Sequence, residues 1–346
     1  ENFRGIKSLS LTDLNRVNLF VGKNNSGKST VLEALFLNIG ASNPELPIRI
    51  NGFRSYSQID DAAFRSFFHD FNIQEPIRIN TEVQKPKQYR NLSITPNKKE
   101  NQKETIVELS SIEPSNNTFT QNAKISGLKY QYQFKTSSKG NFVTHVSSII
   151  TTNGLSITQP SNYIEELLGV YLSSSSHVAN DATRLTKIKL KKQENRIIDI
   201  LRNIEPDLLK IEILENNVIY ADTGKKSLIP FHLMGDGINR LLSIVLAIFE
   251  NENGFVMIDE IENGLYFEAL EVLWKTIIQI AKEYNIQIFA TTHSWENVKT
   301  FASVVDQSNY SDVALYRLEQ RNLEHAAIKY SSQVLIDTIN KDWEVR

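Results

Sequence analysis

The sequence predicts an α/β protein: a mostly parallel core sheet flanked by helices, with a β-rich first-lobe arm and a helical insert. Three observations carry that prediction. A glycine-rich loop at 22–29 joins a short apolar strand, "RVNLFVG" (16–22), to a run of helical periodicity. The continuous apolar stretch 255–258 reads as a strand buried on both faces, and it delivers Asp259 and Glu260 at its carboxyl end. A second such stretch, "IQIFATT" (286–292), follows one helix later and ends at His293, which makes a parallel crossover unit.

Composition sets the outer limits. The chain has 346 residues, 40% apolar and 23% charged, ample for one large core or two ordinary ones. A formal charge of −2 gives no bulk attraction to nucleic acid or to anionic membrane, so any such contact has to be a local patch. Cysteine is absent, which excludes disulfides, thiol catalysis and zinc–thiolate sites and fits a cytoplasmic setting. The six histidines show no metal-ligand spacing. The longest apolar run, 241–249, is too short to span a bilayer, and no signal peptide is visible. The chain opens on Glu1 rather than methionine, so a few trimmed leading residues are expected.

The loop comes first in the chain. Gly22, Lys23, Asn24, Asn25, Ser26, Gly27, Lys28 and Ser29 match G-x-x-x-x-G-K-[ST] at every fixed position. From Thr30 the apolar residues Val31, Leu32, Leu35, Phe36 and Ile39 recur at helical spacing. The glycines let the backbone curl until successive N–H groups converge, and the helix N-terminus adds about half a positive charge there. Lys28 adds a full one, worth about 4 kcal/mol per phosphate charge at roughly 4 Å and an effective dielectric of about 20, before desolvation. Ser29 offers its hydroxyl to Mg2+. ATP and Mg2+ are the cofactors this pattern implies.

The carboxylates come next. Asp259 is placed to hold Mg2+, directly or through water, and Glu260 to accept a proton from the attacking water. The second acid favours a hydrolase over a small-molecule kinase; the bland alternative is a strand capped by acidic residues. The helix that follows shows Leu270, Leu273, Trp274, Ile277, Ile278 and Ala281 on one stripe. His293 then emerges from the same sheet edge as Asp259 and Glu260, an address that suits a γ-phosphate sensor better than a structural histidine. Lys28, Glu260 and His293 are thus the catalytic candidates.

Upstream, "LMGDGINRLLSIVLAIFE" (233–250) places Gly235, Asp236 and Gly237 in a turn opening a helix, with Ile238, Leu241, Leu242, Val245, Ile248 and Phe249 as its buried stripe. Such a turn presents unpaired N–H groups, a second anion site. One chain already has one phosphate cradle, so this turn is expected to cap nucleotide held by a second copy, unless it is an ordinary helix start. Asp236 repels a triphosphate unless it points away or caps the helix.

The order GKNNSGKST, MGDG, FVMIDE, ATTH resembles the ABC-type ATPase head, a P-loop NTPase, in the branch containing chromosome-maintenance and break-repair ATPases and the OLD family. "DEIENGLYFEALEVLW", "IFATTHS" and "MGDGINRLL" resemble the stand-alone AAA ATPases of bacterial anti-phage defence modules, such as the AriA ATPase of PARIS systems. The likeness is strongest over 1–40 and 230–300. It implies a single domain over 1–346, with a Walker A lobe (1–75), the β-rich arm (76–160), the helical insert (161–230) and a lobe with signature, Walker B and switch histidine (231–346). It also implies a homodimer or higher homo-oligomer around two ATP molecules. Each nucleotide then lies between Walker A of one subunit and the signature of the other, residues 235–237, with 262–265 as the D-loop. Phe3 and Arg4, in "NFRGIKSLSL", match an aromatic–arginine pair near the base or phosphates; a plain amphipathic edge strand is the alternative. Two features depart from the pattern. Met234 or Gly235 stands where the signature has serine, and the Q-loop glutamine has only Gln58 and Gln74 as candidates.

The middle of the chain is less specific. "IRINTEV", "TIVELSSI", "LKYQYQF" and "FVTHVSSI" read as strands, "SNYIEELLGVYLSS" as a helix, and "NRIIDILRNIEPDLLKIEIL" as a helix stopped near Pro206 and followed by a strand. The serine run 173–176 reads as a flexible linker. Arg184, Lys187, Lys189, Lys191, Lys192 and Arg196 form a basic run, a solvated helix face in preference to a nucleic-acid contact. No D-x-D pair or H-E-x-x-H motif supports a built-in nuclease or protease, so a nuclease or toxin effector is expected on a separate chain. The expected function is a Mg-dependent ATP-hydrolysing switch of a defence system. A DNA-repair or chromosome-maintenance clamp, and an ATP-binding scaffold with little turnover, are the alternatives.

Overall fold

The computed structural model describes residues 1–98, 124–151, 154–161, 163–174, 181–321 and 324–341. The strand expected at "TIVELSSI" and the second half of the serine run lie outside them. The chain forms two compact units, one of residues 1–4 with 41–164, the other of 5–40 with 165–346.

In chain order the elements are β1 (Val17–Val21), α1 (Lys28–Ile39), α2 (Leu46–Phe53), α3 (Asp61–Arg65), β2 (Ile77–Gln84), β3 (Lys87–Lys98), β4 (Ile125–Lys135), β5 (Val143–Ile150), β6 (Ser156–Thr158) and β7 (Gly169–Leu172). Then come α4 (Asp181–Leu190), α5 (Glu194–Leu201), β8 (Lys210–Ile213), β9 (Ile219–Asp222), β10 (Ile229–Pro230), α6 (Asp236–Glu250) and β11 (Phe255–Ile258). The last are α7 (Phe267–Glu283), β12 (Gln287–Thr291), α8 (Trp295–Ser308), β13 (Val313–Arg321), β14 (Glu324–Ser331) and α9 (Ser332–Asn340).

In the unit of 5–40 and 165–346, one mixed sheet runs β14-β13-β1-β12-β11-β7. All neighbours are parallel except β13 and β14. Register aligns the strand ends: Phe20 lies opposite Thr291, and Ile258 opposite both Ala290 and Leu172. The loop after β1, the acids after β11 and the histidine after β12 therefore leave the sheet on one edge, the edge where ligands sit in open α/β sheets.

One face of this sheet is covered by a core to which α6, α7 and α8 contribute Leu242, Val245, Trp274, Ile277, Phe301 and Val305. Burying each such side chain contributes about 1.5–3 kcal/mol relative to exposure. The stripe expected on α7 is buried as read. Helix α6 goes further, because every residue from Ile238 to Phe249 is buried. Its outer side is sealed by ion pairs as well as packing. Arg184 pairs with Asp181 and Glu250, Lys187 with Glu250, Lys189 with Glu212, and Arg196 with Glu283. Ser243 of α6 donates to Asp181. Most of the basic run is thus engaged by carboxylates; Lys191 and Lys192, in the turn after α4, are exposed.

Two local expectations change. "SNYIEELLGVYLSS" contains the edge strand β7 rather than a helix. Parallel pairing with β11 overrides the helical pattern, and Gly169 sits where an added Cβ would lie 2.9 Å from Ile39. The helical insert accordingly holds β7 and the small antiparallel sheet β10-β9-β8 as well as α4 and α5. "NFRGIKSLSL" forms no strand: Phe3 makes one isolated bridge to Phe68, and left-handed backbone at Asn2 and Arg4 (φ 55 and 51) breaks any ladder.

The other unit carries the β-rich arm, an antiparallel sheet in the order β2-β3-β4-β5-β6. Alternation puts Leu128, Tyr130 and Tyr132 on its buried face and Lys129 and Gln131 outside. Helix α3 begins at Asp60, whose side chain accepts from Ala63 N at 2.7 Å, an N-cap.

Candidate nucleotide-binding site

The loop 22–29 is built by its glycines. At Gly22 a Cβ would lie 2.4 Å from the Leu318 carbonyl oxygen and 2.7 Å from Ser26 Oγ. Gly27 adopts φ 92, left-handed, and hands the chain directly into α1. Lys23, Asn24 and Asn25 are exposed at the loop's crest, while Ser26 and Thr30 are buried. Ser26 Oγ has no hydrogen-bond partner among the described residues. A buried, unpaired hydroxyl inside a cradle that a methyl group would fill is what an anion pocket of backbone and hydroxyl donors requires.

Lys28 folds back across this loop. Its Nζ donates to the carbonyls of Gly22 and Lys23, at 2.8 and 3.1 Å. Burial pulls its pKa below the ordinary lysine value, against the opposing pull of Asp259, Glu260 and Glu262.

Asp259 is the hub. Its Oδ1 accepts from Ser29 Oγ at 2.9 Å and from Thr291 Oγ1 at 2.6 Å, and its Oδ2 accepts from Tyr171 OH at 3.2 Å. Thr291 Oγ1 in turn accepts from Glu260 N at 2.8 Å, which fixes the backbone of the second acid in a left-handed conformation, φ 47. Non-glycine residues held there are uncommon and cluster at functional sites. From behind, Arg240 of α6 donates to the carbonyls of Ser173 and Asp259, at 3.0 and 2.9 Å. Burial lowers the Arg240 pKa, opposed by Asp259, Glu262, Asp181 and Glu260.

His293 is half-exposed and tied to Glu262, whose Oε1 accepts from the His293 backbone N at 3.0 Å and lies 3.2 Å from Nδ1. Gly235, Asp236 and Gly237 open α6 and sit against the turn after β11: a Cβ on Gly237 would be 3.2 Å from the Gly264 carbonyl oxygen. Asn239 Nδ2 donates back to Gly235 O at 2.6 Å and fastens that turn.

The structure thus brings Lys28, Ser29 and Asp259 together and links Glu260 to them through Thr291. It seats Gly237 of the 235–237 turn against Gly264 and Leu265 in the turn after β11. Phe3 and Arg4 belong to the other unit, where Phe3 stacks on Phe67 and Arg4 donates to Asn51 at 2.9 Å. Gln58 and Gln74 lie in that unit too, both exposed. Sequence reasoning missed Tyr171, Thr291, Arg240 and Asn297. Thr291 was legible in "ATTH" as the last strand residue before the histidine; Tyr171 was hidden by the helical reading of its segment.

The donor set suits Mg2+. Ser29 and Asp259 offer hard oxygens, and among the described residues no group of three or more His, Asp or Glu side chains could hold a metal. A cation held by one or two protein oxygens and completed by phosphate is the usual Mg2+–nucleotide arrangement.

Several known proteins are similar to this chain. The chain is 26% identical over 348 residues to an ATP/GTP phosphatase of Helicobacter pylori, covering 92% of this chain and 91% of that protein. Among solved structures, the Smc head domain of Pyrococcus furiosus bound to the C-terminal domain of ScpA aligns with TM-score 0.48 and 11% identity, over 99% of this chain and 98% of that one. The SMC head domain from Thermotoga maritima aligns with TM-score 0.44 and 13% identity, over 95% and 96%. The model of the AAA ATPase domain matches residues 1–298, a span that takes in the phosphate loop, both acids and His293. This chain belongs to the AAA ATPase domain family and is an ATPase.

Proposed function

We propose that the protein is a Mg-dependent ATP switch in which two copies close around shared nucleotide. The observation that carries the reading is the convergence of Lys28, Ser29 and Asp259 on one sheet edge, with Glu260 held beside them by Thr291. Lys28 and the loop N–H groups bind the phosphates. Mg2+, held by Ser29 and Asp259, would neutralise charge on the β- and γ-phosphoryl oxygens. Glu260 takes the proton of the attacking water, and His293 reads the γ-phosphate. The turn 235–237 offers its donors to nucleotide on the partner copy, since its own packing is against Gly264. Hydrolysis removes the bridging charge and the copies part.

The motif resemblance supports a regulatory role in anti-phage defence, with a separate effector protein. A DNA-clamp role has less support, because carboxylates engage most of the one basic run.

Glu260→Gln is the direct test. It should keep ATP binding, abolish turnover and accumulate an ATP-dependent dimer in light scattering. Normal turnover in that variant overturns the assignment of Glu260. A wild-type protein that binds ATP with negligible turnover supports the scaffold instead.

A further inference from the structure

Three side chains and the His293 backbone form a continuous hydrogen-bonded relay from the core to the site, and the His293 ring lies against its end. Trp274 Nε1 of α7 donates to Asn297 Oδ1 of α8 at 2.7 Å. Asn297 Nδ2 donates to Glu262 Oε2 at 3.4 Å. Glu262 Oε1 accepts from the His293 backbone N at 3.0 Å and lies 3.2 Å from His293 Nδ1. Trp274 and Asn297 are fully buried, the Glu262 side chain is 11% exposed and that of His293 56%.

We infer that Glu262 is the positioning residue of His293, fixing both the direction and the tautomer of its ring. The inference rests on the reading of His293 as the residue facing the γ-phosphate. A carboxylate is acceptor-only, so an imidazole nitrogen facing it has to carry hydrogen. Nδ1 is therefore the nitrogen that carries hydrogen, which leaves Nε2 as the ring's acceptor. Glu262 can impose this because it is itself immobilised. Its second oxygen is held by Asn297, whose amide cannot rotate without breaking the indole bond to Trp274. The Asn297 backbone is held as well, its N–H donating to Ser294 Oγ at 3.2 Å at the start of α8. The same logic orients metal-bound histidines, where loss of the outer partner costs about 10–100-fold. Glu260 and Glu262, two residues apart, then have different tasks: the first faces the water, the second holds the histidine.

The test uses the full chain in four forms: wild type, Glu262→Ala, Glu262→Gln and His293→Ala. In Glu262→Ala, kcat should fall by about 10–100-fold while the ATP dissociation constant and KM move by less than about three-fold. Glu262→Gln keeps an acceptor oxygen and should recover part of kcat. Ring nitrogen NMR of 15N-histidine protein, with His293 assigned from its variant, should show the Nδ1–H tautomer in wild type and a shift toward Nε2–H in Glu262→Ala. An unchanged kcat in Glu262→Ala beside an impaired His293→Ala overturns the inference, as does an Nε2–H tautomer in wild type. An unimpaired His293→Ala instead removes the sensor reading, and the tautomer measurement still decides whether Glu262 sets the ring. Should Glu262→Ala fail to fold, Glu262→Gln and the wild-type spectrum decide alone.

Discussion

Ser29 and Asp259 stand 230 residues apart in the chain, yet the Ser29 hydroxyl donates to the Asp259 carboxylate across 2.9 Å. The two halves of the phosphate site are joined by the fold itself, across the end of the intervening strand β12 on one sheet edge.

Ser29→Ala should therefore do two separable things. Losing one hydrogen bond costs about 1 kcal/mol of stability, readable in urea. Losing the oxygen should raise the Mg2+ concentration for half-maximal hydrolysis by about ten-fold or more. Measuring ATPase rate against Mg2+ at fixed ATP checks the second effect.

Lys28 makes ATP affinity depend on pH. Its pKa is lowered, chiefly by burial, and a polyanion prefers the ammonium form. Affinity should fall as pH rises, beginning below the ordinary lysine range, and Lys28→Arg should flatten that fall in calorimetric titrations. The linkage to folding has the opposite sign. Between the folded and unfolded values the unfolded chain binds more protons at this site, so its contribution to stability rises with pH there.

Gly22→Ala places a methyl group 2.4 Å from the Leu318 carbonyl oxygen. Overpacking of this kind costs about 1–3 kcal/mol, and opening the loop should abolish ATP binding. Gly52, in α2, has nothing within 4 Å of a built Cβ and no positive φ. Gly52→Ala should be neutral or stabilising by up to about 1 kcal/mol, measured beside it in urea.

Arg240→Met removes a buried cation from two carbonyls. Ser173 O and Asp259 O lose their donor, and the expected loss is about 2–3 kcal/mol in urea unfolding with an unchanged slope. Activity should fall further than stability alone predicts, because the Asp259 backbone loses its rear anchor.

Much of the site was legible because it rests on short segments whose chemistry and period agree. The loop, Phe255–Ile258 with its two acids, and the strand before His293 each combine a local pattern with a fixed position on a parallel sheet. What escaped depends on contacts distant in sequence. Tyr171 reaches Asp259 only because β7 pairs with β11, and nothing in "SNYIEELLGVYLSS" announces that partner. Arg240 stands outside the apolar stripe of α6, and its role behind the site depends on the carbonyls of Ser173 and Asp259, which other segments supply. The basic run reads in the sequence as a solvated helix face, whereas in the structure carboxylates rather than water engage most of it, and those partners come from distant segments. Asn297 acquires meaning only through Trp274 and Glu262, which come from different elements.

The indole of Trp274 is buried, packed at a tilt of 49° against the Phe301 ring with centroids 4.5 Å apart, and hydrogen-bonded to Asn297. Its light emission is thus sensitive to whether that bond is intact. An event that pulls His293 away from Glu262 should reach this chromophore through Asn297, and so change the Trp274 share of the emission of the chain's three tryptophans. A stopped-flow mixing trace with unlabelled nucleotide would follow the histidine's release and return in real time.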